Sequence, residues 1–362
     1  GPDFLEEHAL LGLQGLRNLA HRGGIDADGE TGDGAGVLIQ LPRAFFADYV
    51  EDKTGTRPAD DDIAVGWFFL PQEPEERRVC YLLVEETLQS LGVTVFGWRT
   101  VPHNASVLSS KARDSMPYLR QVVLGKDPSW TELDFERRLY LARRIIDRKL
   151  VDVGMKDVYM PSMSCRTIVY KGLFRADQVG EFYLDLQNPA FTTATCLFHV
   201  RYGTNTFPKW ELAHPYRRSA HNGEINTICG NRHWMHAREQ EWTSAVWGED
   251  LAHFSPVLQW DESDSASLDR TLELLELTGW DPIQAMMMLM PEPWENKTTV
   301  PADLRGFYEC HAGKQEPWDG PACVVYTDGR IVAAKLDRNG LRPWMHIQRR
   351  NFPGLWLRSA RL

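Results

Sequence analysis

The stretch from His199 to Met235 holds the densest set of side chains able to do chemistry. It reads His199-Val-Arg-Tyr-Gly-Thr-Asn-Thr-Phe-Pro-Lys-Trp-Glu-Leu-Ala-His214, and a little further on Ala220-His-Asn-Gly-Glu-Ile-Asn-Thr227. Arg201 ends an apolar run, where a guanidinium can clamp a carboxylate through two parallel hydrogen bonds. A surface ion pair is the ordinary alternative for any one arginine. Asn222-Gly223 reads either as a turn or as an amide side chain beside a glycine N–H, the minimum of an oxyanion hole. Downstream, Asp261-Glu-Ser-Asp-Ser-Ala-Ser267 precedes a helical pattern. Its acids either cap that helix or turn one carboxylate inward, toward an ammonium group. An arginine for a carboxylate, an amide pair for an oxyanion and an acid for an ammonium outline a site for an amino acid bearing an acyl group to be cleaved.

Other chemistry-bearing patterns read as structural. Thr31-Gly-Asp-Gly-Ala-Gly36 lacks the Lys-Ser/Thr of a P-loop and does not match GxGxxG. As a calcium loop it fails too, because Thr31 stands at the glycine position and Val37 at the glutamate position. The six cysteines, Cys80, Cys165, Cys196, Cys229, Cys310 and Cys323, form no CxxC pair or spaced Cys/His set, so zinc and disulfide frameworks are not expected. Free thiols in a reducing cytoplasm are the plain reading. Met286-Met-Met288 is read as buried helix filler.

The elements that must position these residues follow from periodicity. Apolar positions 10, 13, 16 and 19 mark one helix, and Phe135, Leu139, Ala142 and Ile146 another, with its Arg and Lys on the far side. Leu268, Leu272 and Leu275 mark a third, and the methionines after Pro282 a fourth. Strands are expected at Gly36–Leu41, Val65–Leu70, Cys165–Tyr170, Ala194–Val200 and Ala322–Tyr326, the last turning at Asp328-Gly329 into a hairpin with Ile331–Leu336. Asp48–Asp62 looks like an exposed charged loop. Strand pairs mixed with helices point to a layered α+β protein rather than a parallel βαβ series.

The 362 residues carry 43% hydrophobic and 25% charged side chains, which is globular rather than disordered. A formal charge of -10 argues against nucleic-acid and anionic-membrane partners. No apolar run reaches spanning length, and Gly1–Glu7 shows no secretory pattern.

The motif His199-to-Arg217, with Ala220-His-Asn-Gly-Glu-Ile-Asn-Thr and Gly230-Asn-Arg-His-Trp-Met, resembles the class II glutamine amidotransferase domain of glutamate synthases. Agreement extends over nearly the whole chain. It takes in His21-Arg-Gly, Thr31-Gly-Asp-Gly-Ala-Gly, Ser115-Met-Pro, Arg166-Thr-Ile-Val-Tyr-Lys-Gly, Asp264-Ser-Ala-Ser, Pro291-Glu-Pro-Trp, Glu316-Pro-Trp-Asp-Gly-Pro-Ala and Asp337-Arg-Asn-Gly-Leu-Arg-Pro. The resemblance implies an α+β N-terminal-nucleophile hydrolase fold, a four-layer α/β/β/α sandwich. It also implies hydrolysis of L-glutamine to glutamate and ammonia through a cysteinyl thioester. Carried over position by position, Arg201 binds the α-carboxylate with help from Thr204, and Asp264 holds the α-ammonium. Asn222 and Gly223 form the oxyanion hole, and Arg22 supports the nucleophile's neighbourhood. The domain itself is expected to carry no cofactor and no metal. FMN and an iron–sulfur cluster are implied for a separate synthase module acting on 2-oxoglutarate. Partners are the central and FMN-binding domains of that module and, in some forms, a small NAD(P)H-oxidising subunit. A cytoplasmic location is expected.

Two departures accompany the resemblance. The family's mature chain begins with the nucleophilic Cys, whose α-amine serves as base, whereas position 1 here is Gly. Gly1-Pro-Asp3 aligns after the family's first strand, so roughly ten residues including the Cys are expected upstream. No internal cysteine is a credible substitute: Cys196 and His199 fall on opposite strand faces, and Cys165, Cys196 and Cys323 are read as thiols in apolar strands. The second departure is the basic tail. Residues 1–343 read as the amidotransferase domain and 344–362 as an atypical end, as a reading-frame change near Trp344 would produce. The competing readings are a catalytically dead, glutamine-binding module and a class II enzyme delivering ammonia to a sugar or nucleotide precursor. The Thr204-Asn-Thr-Phe-Pro context argues against the second.

Overall fold

The computed structural model describes residues 3–202, 207–342, 345–349 and 352–356. In chain order the first half runs α1 (Asp3–Asn18), β1 (Ala35–Gln40), α2 (Arg43–Thr54), β2 (Ile63–Leu70), α3 (Pro74–Ser90), β3 (Thr94–Thr100), α4 (Ser110–Asp114), β4 (Tyr118–Gly125) and α5 (Glu132–Asp152). Next come β5 (Tyr159–Ser164), β6 (Thr167–Gly172), α6 (Gln178–Phe182), β7 (Cys196–His199), β8 (Ser219–Gly223), α7 (Ile228–Glu239) and α8 (Asp264–Thr278). The rest is α9 (Pro282–Leu289), α10 (Ala302–His311), β9 (Ala322–Thr327), β10 (Val332–Leu336), β11 (Met345–Arg349) and β12 (Phe352–Trp356).

The strands form antiparallel sheets in the orders β3-β4-β2-β5, β6-β1-β7, β10-β9-β8 and β11-β12. β2 is apolar along its whole length because both faces are covered. Ile63, Val65, Trp67 and Phe69 join the core shared with β1 and β6, while Ala64, Phe68 and Leu70 face α3 and α5. β1 divides its side chains in the same way: Val37 and Ile39 enter the large core, and Leu38 meets Val169, Leu197, Ala220 and Val325. That small cluster seats β7 beside β8. This mixed arrangement of antiparallel sheets and helices is consistent with the N-terminal-nucleophile hydrolase fold of class II amidotransferases.

The four expected helices and the Asp328-Gly329 hairpin are present. Met286 and Met288 are buried as filler. Three expectations need correction. Asp48–Asp62 is not a loop: α2 runs to Thr54 and a short 3-10 turn covers Asp60–Asp62, because Phe46, Ala47 and Val50 bury one face of the helix. The charged side of α5 faces water only in part: Arg138 and Arg148 are exposed, but Glu136, Arg143 and Arg144 are buried, since α8 and the segment around Phe254 cover them. Cys165 lies in the turn between β5 and β6 rather than in a strand. Among the described residues, no helix is long and apolar enough to cross a membrane.

Candidate active site

β8 carries Asn222 and Gly223 at its end, and its placement is the work of α8. Ser263 caps α8 by accepting from Ala266 N, which aims the helix's first turn at β8. Near the strand's start, Asp269 Oδ1 accepts from Arg218 N (2.9 Å), Ser219 N (2.9 Å) and Ser219 Oγ (2.8 Å), and Oδ2 from Arg217 N (3.1 Å). Just past its end, Asp264 Oδ2 accepts from Ile225 N at 2.8 Å. One helix thus grips the backbone on both sides of the strand.

A buried ion network reinforces the grip. Arg218 donates to Glu276 (2.6 Å) and to Glu136 on α5 (2.8 Å), and Arg166 donates to Glu276 (3.1 Å) and Glu132 (2.6 Å). Burial works against an ionised Glu136, but Arg218 and Arg166 outweigh it and hold its carboxyl below the usual range. These charges are paired and hydrogen-bonded, which is the condition for carrying them inside.

Asn222-Gly223 is the end of a strand and not a turn. Gly223 pairs with Ala322 at φ 137°, and a Cβ there would lie 1.8 Å from the Pro321 carbonyl oxygen. Only glycine satisfies both constraints. The Asn222 side chain points away from α8 and is exposed, and it makes no hydrogen bond among the described residues. On the opposite strand face His221 is buried, with Nδ1 2.7 Å from Ser265 Oγ.

Arg201 stands just beyond β7. It is exposed, and its Nε donates to the Arg22 carbonyl at 3.1 Å, holding the 3-10 turn Ala20–Arg22 against the strand end. Asp33 lies in the same neighbourhood; burial pushes its carboxyl up while Arg201 opposes the rise. A cavity of about 320 Å3 opens beside them, lined by Ala20, Gly23, Gly24, Phe174, Arg175 and Val200 among others. Of the expected site residues that are described, none lines it.

Behind these groups, three histidines pack where β7 meets β8. The rings of His199 and His214 have centroids 4.4 Å apart, and His221 is close enough to act on both electrostatically. Burial pulls His199 down to about 4 and His214 further below its ordinary value. Neither ring nitrogen of His214 has a partner among the described residues.

The expected site residues therefore fall in two groups, Arg22 with Arg201 and Asn222-Gly223 with Asp264, joined through the histidines. Thr204 lies outside the described residues. The readings from sequence overlooked the roles of Ser265, Asp269 and the three histidines. The periodicity of α8 offered a signal, since Ser265 and Asp269 stand four residues apart on its strand-facing side. Cys165, Cys196 and Cys323 are held toward the thiol form. Burial raises Cys196 to about 12 and Cys323 to about 11, and burial with Glu136 raises Cys165 further. Among the described residues no set of three or more His, Cys, Asp or Glu side chains is arranged to hold a metal ion.

The chain belongs to the class-II glutamine amidotransferases, whose family pattern it matches over residues 6–351. Within that class it is similar to glutamate synthases. It is 46% identical over 333 residues to the glutamate synthase [NADPH] large chain of Bacillus subtilis, covering 92% of this chain and 22% of that one. It is 44% identical over 342 residues to ferredoxin-dependent glutamate synthase 2 of Synechocystis sp., covering 93% and 22%. With the chloroplastic ferredoxin-dependent enzyme of Oryza sativa it shares 42% over 336 residues, 91% and 21%. The chain thus spans about a fifth of the length of these relatives.

Proposed function

We propose that this chain is the glutamine-hydrolysing part of a glutamate synthase, releasing glutamate and ammonia from L-glutamine. Residues 1–343 form the amidotransferase domain, and 344–362 an atypical end that includes β11 and β12. Arg201, with Thr204, takes the substrate α-carboxylate and Asp264 the α-ammonium, while Arg22 supports the neighbourhood of the nucleophile. A cysteine upstream of Gly1 supplies the thiol, and its own α-amine accepts the thiol proton, since an α-amine titrates near pH 8. Sulfur attacks the side-chain amide carbon, and the oxyanion is stabilised by the Asn222 amide and the Gly223 N–H. Collapse expels ammonia, carrying the proton from the amine, and leaves a γ-glutamyl thioester that water hydrolyses to glutamate. Ammonia then passes to a synthase module that aminates 2-oxoglutarate with FMN and an iron–sulfur cluster. In NAD(P)H-dependent forms a small oxidising subunit supplies the electrons. The module's groups lie outside this chain, and no step here runs through them.

The observation that carries the reading is α8 gripping both ends of β8. It ties a buried carboxylate, Asp264, to Ile225 N, three residues along the chain from the exposed Asn222 and two from the glycine-only Gly223. The test is the N-terminal sequence and intact mass of the protein from its natural gene, together with its glutaminase turnover. A mature chain opening with Cys shortly before Gly1 and releasing ammonia is expected. A chain without that Cys, binding glutamine saturably but never turning it over, would establish the non-catalytic alternative instead.

A further inference from the structure

Asp264 is 2% exposed and its carboxylate is held from its own helix as well as from β8's extension. Oδ1 accepts from Ser265 N at 2.7 Å and from Ser265 Oγ at 3.2 Å. The same Ser265 hydroxyl lies 2.7 Å from His221 Nδ1. A serine hydroxyl has one proton to give, and an ionised carboxylate can only accept. With that proton directed at Asp264, the serine oxygen must accept from His221, which places the imidazole proton on Nδ1. The direction is self-consistent, because His221 is kept neutral. Burial lowers its affinity for a second proton and Arg342 adds to the effect, while Asp264 opposes both. His199 and His214 are the other titratable groups near it. His221 Nε2, buried without a partner among the described residues, is then a bare lone pair rather than a stranded N–H. A stranded N–H is the costlier of the two.

We propose that His221 and Ser265 form a positioning relay, Nδ1–H to Oγ–H to Oδ1, which fixes the direction of the Asp264 carboxylate and so sets the site's demand for an α-ammonium group. The relay does not touch substrate; it acts through Asp264, and it rests on the reading of Asp264 given above. His221 and Asn222 are consecutive on β8, so the relay also couples the ammonium subsite to the strand that carries the amide pair.

The experiment compares two ligands in the full-length natural protein: L-glutamine as substrate, and its deaminated analogue 4-carbamoylbutanoate as competitive inhibitor. Asp264→Ala should abolish the preference for the amino compound. Ser265→Ala and His221→Phe should raise the KM for L-glutamine about tenfold, a loss of roughly 1.4 kcal/mol, with kcat and the analogue's inhibition constant nearly unchanged. Ser265→Thr and His221→Asn, which keep the hydroxyl and a donor near the Nδ1 position, should restore most of the preference. If Ser265→Ala and His221→Phe weaken both ligands equally, or neither, while Asp264→Ala abolishes the preference, the relay is overturned and Asp264 keeps its role. If Asp264→Ala leaves the preference intact, the assignment of Asp264 fails and the relay with it. Nitrogen shifts of His221 give an independent reading: an Nε2-protonated neutral ring would reverse the hydrogen bonds and overturn the proposal.

Discussion

At the scale of single residues, Gly223 shows how a backbone constraint creates chemistry. Its φ of 137° and the Pro321 oxygen 1.8 Å from a built Cβ exclude any other side chain. The strand can therefore end flat against β9 while Asn222 stands free in front. Gly223→Ala is expected to push the strand end off Pro321 and move both proposed oxyanion donors. The loss of kcat should approach the roughly 100- to 1000-fold cost of removing one such donor. Steady-state kinetics and a thermal melt on the cysteine-bearing protein check it. Unchanged kcat with a lowered melting temperature would separate the strand's fit from catalysis.

At the scale of elements, α8 and β8 behave as one unit. Asp269 accepts four hydrogen bonds from residues 217–219, all buried. Burial, with Glu273 beside it, pushes its carboxyl up, and Arg217 and the N–H donors work the other way. Asp269→Ala strands those donors at about 1–3 kcal/mol for each left unsatisfied, so a total loss of at least 3 kcal/mol is expected in urea unfolding. Asp269→Asn keeps an acceptor and should lose less. Equal losses in the two variants would mean that side-chain volume, not the backbone grip, holds β8.

At the scale of the whole molecule, the histidine cluster couples stability to pH. The folded chain keeps His214 uncharged because burial lowers its pKa, and His199, His221 and Lys171 add to the effect. An unfolded histidine takes up its proton near pH 6.5. Below that value the unfolded state binds more protons than the folded one, so this residue's contribution makes stability fall as pH falls. Phenylalanine cannot titrate; the His214 ring nitrogens have no hydrogen-bond partner among the described residues, and the backbone bond of residue 214 to the Arg201 carbonyl does not depend on the side chain. His214→Phe should therefore match or exceed the parent at pH 7.5. Below about 6.5 it should gain on the parent by up to about 1.4 kcal/mol per pH unit. Denaturation midpoints from pH 7.5 to 5 test this, and parallel curves would show that His214 is charged in the folded state.

What sequence alone determined was local or chemical. Periodicity marked α1, α5, α8 and α9, and Asp328-Gly329 marked its hairpin, because helix faces and tight turns are set by neighbours in the chain. Long motifs around Arg201 and Asn222 were enough to point to the class, since side-chain chemistry is written directly in residue types. Tertiary structure decided what depends on contacts between distant segments. It turned Asp48–Thr54 into helix through packing on the core, and it buried Arg143 and Arg144 under elements more than a hundred residues away. It made Asn222-Gly223 a strand end by pairing it with Cys323 and Ala322. It also sorted the three acids between Asp261 and Asp264, pairing Glu262 with Arg270 and turning Asp264 to Ile225 N. The Ser263 cap is a local relation, but Ile225 N lies 39 residues from Asp264, and that contact leaves no mark in local spacing.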